Sequence, residues 1–214
     1  ISTDATIDTS TNLQVSGLKL SAPAGAAVVT PLTTLLAVDP ELSKDKLASS
    51  LGLIDPNTGE PVDLENFNPF SDSTDESLLL SAEKAAQQVT TFIKTVSSLA
   101  TSGGVDSDEA IDQAFKGLSR QLKEAVINDT SESFTVIELA DSEFIENVVE
   151  DVSVSLSEGS EEFDADKFAA GKVAASQAIS SVNNALNALT SITSEDAKNL
   201  VAVIDAVSEQ AEIG

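Results

Sequence analysis

From Leu79 onward, apolar residues recur every three or four positions, and this spacing constrains the chain more than any other feature. Leu79, Ala82, Ala86, Val89, Ile93, Val96 and Ala100 form one such stripe. A 3.6-residue period brings those positions onto a single helical face, whereas a strand would require alternation by two. Gly103-Gly104 ends the stripe, and Asp106 or Ser107 caps a second helix carrying Ile111, Phe115, Leu118, Leu122 and Ala125. Gly117 lies inside that second stripe, at an intrinsic cost of about 1 kcal/mol relative to Ala. Two further stripes obey the same rule. One is Phe168, Ala175, Ile179, Val182, Leu186 and Leu189; the other, capped by Ser194, is Ala197, Leu200, Ile204, Val207 and Ala211. Four stripes with short connections predict a mainly α fold, an up-and-down helical bundle.

The segments around this pattern are less regular. Residues 1–29 are rich in Ser, Thr and small side chains, with partial alternation at Leu13, Val15, Leu18 and Leu20. They read as a short extended or β N-terminal lead-in, the end of a preceding module, and 30–214 read as the helical domain. Thr30-Pro31 is a helix start with Thr as cap and Pro at the first turn, running to Val38 before Pro40. Ser43 opens another short helix ended by Gly52. Asp55 to Asp72 is a long Pro-, Asn- and Gly-bearing loop that Phe67 and Phe70 should pin to the core. Residues 130–166 read two ways. Phe134, Val136, Ile137 and Leu139 suit a strand or a helix start; Phe144, Ile145, Val148, Val152 and Leu156 favour a helix over 142–157, although Val152, Val154 and Leu156 also alternate.

The side-chain inventory limits the chemistry. The chain has no His, Cys, Met, Trp or Tyr, and its eight Phe are its only aromatics. Ser-His-Asp and Cys-His catalysis, and ordinary zinc, copper or haem ligation, are therefore absent. No Gly-rich phosphate-binding motif occurs. The expected reading is not an enzyme. With 36 acids against 11 bases and a net charge of −25, the chain is also unsuited to nucleic acid or an anionic membrane surface. No run approaches the roughly 20 apolar residues of a membrane span. Ile at position 1 and the lack of any Met lead us to expect a piece of a longer protein, whose flanking domains are its first partners.

Oxygen ligands remain plentiful, and they suit hard cations. Asp55, Asn57, Glu60 and Asp63 alternate along a turn with Gly59 at its bend, so they are the candidate metal ligands, with Ca2+ as the candidate cofactor. The spacing is not that of an EF-hand: the Gly is one position early, and Asn66 stands where a bidentate Glu belongs. The same residues also read, and read more simply, as a Pro/Gly turn with solvated acids. A second acidic run, Glu158 to Asp166, reads as a linker with helix-start acids, and Asn128-Asp129-Thr130 matches a glycosylation sequon.

One segment resembles a known kind of module. Ala22-Pro-Ala-Gly25, then Val28-Val29-Thr30-Pro31-Leu32-Thr33-Thr34-Leu35-Leu36, is similar to an "APAG…VVTPLTTLL" signature. That signature recurs in very large adhesin-like proteins, rich in cadherin, VCBS and RTX modules, from marine and aquatic bacteria. Leu51-Gly52-Leu53 and the Val62 to Phe70 stretch echo the "LGL…DL..F.PF" pattern that tends to come after the signature in those proteins. The resemblance covers roughly residues 5–100 and assigns no site residue. It implies a secreted or cell-surface location and a role as spacer, scaffold or adhesion element. The alternative expectation is a module binding a surface ligand or glycan through a gap between helices or the 55–70 loop.

Overall fold

A computed structural model describes residues 18–68, 71, 74–128 and 136–191, with 202, 203 and 206. Six helices lie among them: α1 (Pro31–Val38), α2 (Lys44–Ser50), α3 (Glu76–Ser102), α4 (Ser107–Asn128), α5 (Ser142–Gly159) and α6 (Ala165–Asn187). No strand occurs among the described residues; the one β-type feature is an isolated antiparallel bridge between Ile54 and Pro61.

Helices α3 to α6 form an up-and-down bundle in which α5 is a member; the 197–211 stripe counted in sequence lies outside the described residues. Each of these helices packs on its sequence neighbour, and α6 returns to α3 to close the ring. The α3–α6 pair is antiparallel, since Leu99 meets Gly171 at one end while Gln88 bonds the carbonyl of Asn183 towards the other. α1 lies against α3 and α4, and α2 against α4.

The helix boundaries are set by local chemistry. Asp75, Asp141 and Asp164 each accept bonds from backbone N–H groups of the first turn of α3, α5 and α6, and Asp106 does the same before α4. These are four carboxylates at the positive ends of four helix dipoles. Gly104, at φ +93°, makes the turn after α3; its missing side chain lets the Glu162 carbonyl come close. The α5–α6 turn docks there too, with the Asp164 N–H donating to the Gly103 carbonyl at 2.7 Å.

The Thr30–Leu36 segment is explained by packing. Thr30 and Thr33 make a reciprocal capping box, and Leu32, Leu35 and Leu36 enter the core. Thr34 is buried as well. Its hydroxyl donates to the Ser21 carbonyl at 2.9 Å and accepts from the Ser21 N–H at 3.0 Å. Leu20 is only 7% exposed and belongs to the main core, and the Ala27 N–H donates to the Glu65 carbonyl. Residues 18–28, within the expected lead-in, are thus strapped to the bundle. The lead-in from 1 to 17 lies outside the described residues.

The stretch that reads two ways in sequence takes one form in the structure. α5 covers 142–159 as a helix, with Ile145, Val148, Val149, Val152 and Leu156 buried and Val154 facing solvent. Residues 136–140 form no strand; the Ile137 N–H donates to the Ser50 carbonyl, and Leu139 is buried. Phe134 and Phe70 lie outside the described residues, as do Ser194 and every position of the last stripe. Within that stretch Ala202, Val203 and Ala206 are helical and exposed.

Candidate functional site

Four residues of the loop after α2 carry the metal expectation. The loop is built as a short excursion closed at its neck. Leu53 and Val62 are buried and joined by a 3.0 Å backbone bond, with the Ile54–Pro61 bridge just above them. Beyond the neck, Asp55 accepts the Gly59 N–H at its carbonyl, and Gly59 makes the bend at φ +74°. The Asp55 carboxylate folds back to accept the Asn57 backbone N–H at 2.8 Å and the Asn57 side-chain amide at 3.2 Å. This is an Asx turn, the local alternative to ligation. The Glu60 carbonyl accepts from the Asp55 N–H, and the Glu60 side chain is exposed.

Asp63 sits below the neck and faces elsewhere. Its Oδ1 accepts from the Lys44 ammonium at 2.9 Å and its Oδ2 from the Asn66 amide at 2.8 Å. Lys44 also donates to Glu65 at 2.8 Å. Asn66 and Lys44, in that order, hold the Asp63 carboxyl below its usual range, while Glu65 and Asp63 hold the Lys44 ammonium above its own. The structure therefore brings Asp55 and Asn57 together and pairs Asp63 with Lys44. Among the described residues, no group of three or more acidic side chains converges on a point that could hold a metal ion. Sequence reading missed Lys44. Its signal was a cation in the first turn of α2, where the helix dipole disfavours it.

Five other bases repeat this pattern between elements, while Lys116 pairs with Asp112 within α4. Lys123 on α4 bonds Asp39 and Glu41 just beyond α1. Arg120 on α4 donates to Asp151 at 2.8 Å and to the Ser155 hydroxyl at 2.7 Å, both on α5. Lys172 on α6 pairs with Glu150 on α5, and Lys84 on α3 donates to the Asn187 carbonyl ending α6. Lys19 in the strap reaches Asp108 at the start of α4. Such partly exposed pairs add little stability, so their effect is chiefly to fix which helix lies beside which.

The second acidic run has a structural use. Asp164 caps α6, Asp166 lies in its first turn, and Phe163 packs edge-on against Phe168 at 5.4 Å. The sequon begins on Asn128, the last residue of α4, and its other positions lie outside the described residues. No helix among the described residues is long and apolar enough to cross a membrane. Comparison with protein-family models, with curated proteins and with solved structures found no match to this chain.

Proposed function

We propose that this chain is a non-enzymatic helical module of a large extracellular or cell-surface protein, acting as spacer, scaffold or adhesion element. The observation that carries the reading is where the charged groups go. Lys44, Lys84, Arg120, Lys123 and Lys172 each reach across to another structural element, and the acids nearest the helix starts act as caps. The polar side chains thereby serve the architecture and leave a strongly acidic outer surface, which keeps a module dispersed in a salty medium. The similarity of Ala22 to Leu36 to the surface-protein signature points the same way. The test is accessibility in the producing cell. An antibody raised against the folded module should label intact cells or the secreted fraction, and brief external protease should remove the label. Labelling that needs lysis would overturn the proposal.

A further inference from the structure

The two halves of α6 are held by different forces. The first half is anchored by apolar packing. Phe168 is fully buried against Phe163, Gly171 admits Leu99, and Ala175 and Ile179 complete the contribution to the main core. The last turns are held otherwise. Among the described residues, Val182 and Leu186 form a separate small cluster with Leu189, outside the main core. The remaining ties are polar. Gln88 donates to the Asn183 carbonyl at 3.2 Å and to the Asn187 side chain at 2.9 Å; Lys84 donates to the Asn187 carbonyl at 3.0 Å. Asn183 donates to the Leu139 carbonyl at 2.6 Å, and Ser180 to the Ala140 carbonyl at 2.7 Å.

Within the α3–α6 pair, four buried side-chain atoms lack a partner: Gln87 Oε1 and Thr95 Oγ1 on α3, Ser176 Oγ and Asn183 Oδ1 on α6. The antiparallel register set by Leu99–Gly171 and Gln88–Asn183 places Thr95 level with Ser176. An unpaired buried polar atom destabilises the closed state and is relieved when water reaches it. We propose that α6 from Ser180 to Asn187 is a latch that opens as one unit, releasing the Leu139 and Ala140 carbonyls, while the rest of the bundle stays folded. The polar ties exchange readily for water, the apolar cluster is small among the described residues, and opening hydrates Asn183 Oδ1 and Gln87 Oε1, which is level with it. The hinge falls between Ile179, the last α6 residue of the main core, and Val182, the first of the separate cluster. Opening bares Val182, Leu186 and Leu189 on a molecule whose surface is otherwise acidic.

Native-state amide hydrogen exchange on the whole chain, at low denaturant concentrations, tests this. The amides of 180–187 should share one protection factor, at least about tenfold below that of 169–175 and of 89–100 in α3. A uniform value along α6 matching α3 would overturn the latch. A graded decline towards Asn187 would be end-fraying and would overturn it equally. The paired substitution Thr95→Val with Ser176→Ala removes two unpaired hydroxyls while keeping the shape. Both lie in the anchored half, so it should leave protection of 180–187 unchanged, whereas Gln87→Leu, at the latch, should raise it several-fold and Gln88→Leu should lower it. Unchanged or lowered protection in Gln87→Leu, or raised protection in the paired variant, would refute the role given to the unpaired atoms.

Discussion

Gly117 offers the sharpest test of the packing. By helix propensity alone, Gly117→Ala should stabilise α4 by about 1 kcal/mol. The fold predicts the opposite sign. A Cβ built on Gly117 would run into Cγ2 of Val152 on α5, with the Asp151 carboxylate 3.6 Å away and the Val148 carbonyl 3.7 Å away. Val152 cannot swing aside. Its β-branched side chain has essentially one χ1 choice in a helix, and it is 0% exposed. α4 and α5 must therefore separate locally, and overpacking of this kind costs about 1–3 kcal/mol. Set against the propensity gain, the expected net loss is roughly 1 kcal/mol. For a chain of this size that lowers Tm by about 2–4 °C. Val152→Ala alone should also destabilise, by removing buried methyl groups. In the double variant the new methyl fills the space the Val vacates, so the two losses should fall short of additivity by about 1 kcal/mol. Urea unfolding measures this through the midpoint at constant slope. A more stable Gly117→Ala protein, or strict additivity in the pair, would refute the close α4–α5 approach.

Four other predictions rest on the same structure. Leu35 is fully buried, so Leu35→Ala should cost about 2–5 kcal/mol and Leu35→Asp should abolish the cooperative thermal transition; an unchanged melting curve for either would contradict the α1 packing. The lowered Asp63 carboxyl contributes stability that is complete above its ordinary value of 3.8 and is lost as pH falls through the folded value, so the difference between the parent and Asp63→Asn, under about 1 kcal/mol at neutral pH, should shrink towards zero in urea titrations below pH 3.8. Lys44 acts in the opposite sense, its contribution present below 10.5 and lost as pH rises beyond that, so Lys44→Gln should differ least from the parent at the most alkaline pH. Because Asp55 is closed into an Asx turn and Asp63 faces Lys44, millimolar calcium and sodium chloride at matched ionic strength should raise Tm equally; a calcium-specific rise abolished by Asp55→Ala with Asp63→Ala would establish the metal site.

The bundle was legible because periodicity reports a buried face wherever one face alone is buried. The stripes of α4 and α6 illustrate this, and the caps at Thr30, Ser43 and Asp106 announced where helices start. α3 shows the limit. It touches α1, α4 and α6, so Gln87, Gln88, Thr91 and Thr95 are buried along with its apolar stripe, and no amphipathic pattern marks polar residues as interior. Leu78 is buried and Leu79 only partly so, a one-residue rotation that a stripe on a helix packed from several sides does not resolve. The loop carboxylates were visible as a cluster in sequence. Their directions were not, because Lys44 is 19 positions from Asp63 and the pairing exists only after α2 and the loop have docked.

The disparity between 36 acids and 11 bases gives the two signs different freedom to drift over evolutionary time. An exposed acid on this bundle has many equivalents, and exchanging one for another polar residue alters a diffuse field by a small fraction. A base such as Arg120 or Lys123 has a specified counterpart on another element and few substitutes nearby. Neutral change should therefore accumulate among the acids and stall at those basic positions. In any set of relatives, the rare positive charges, rather than the conspicuous negative ones, would be the landmarks by which to align them.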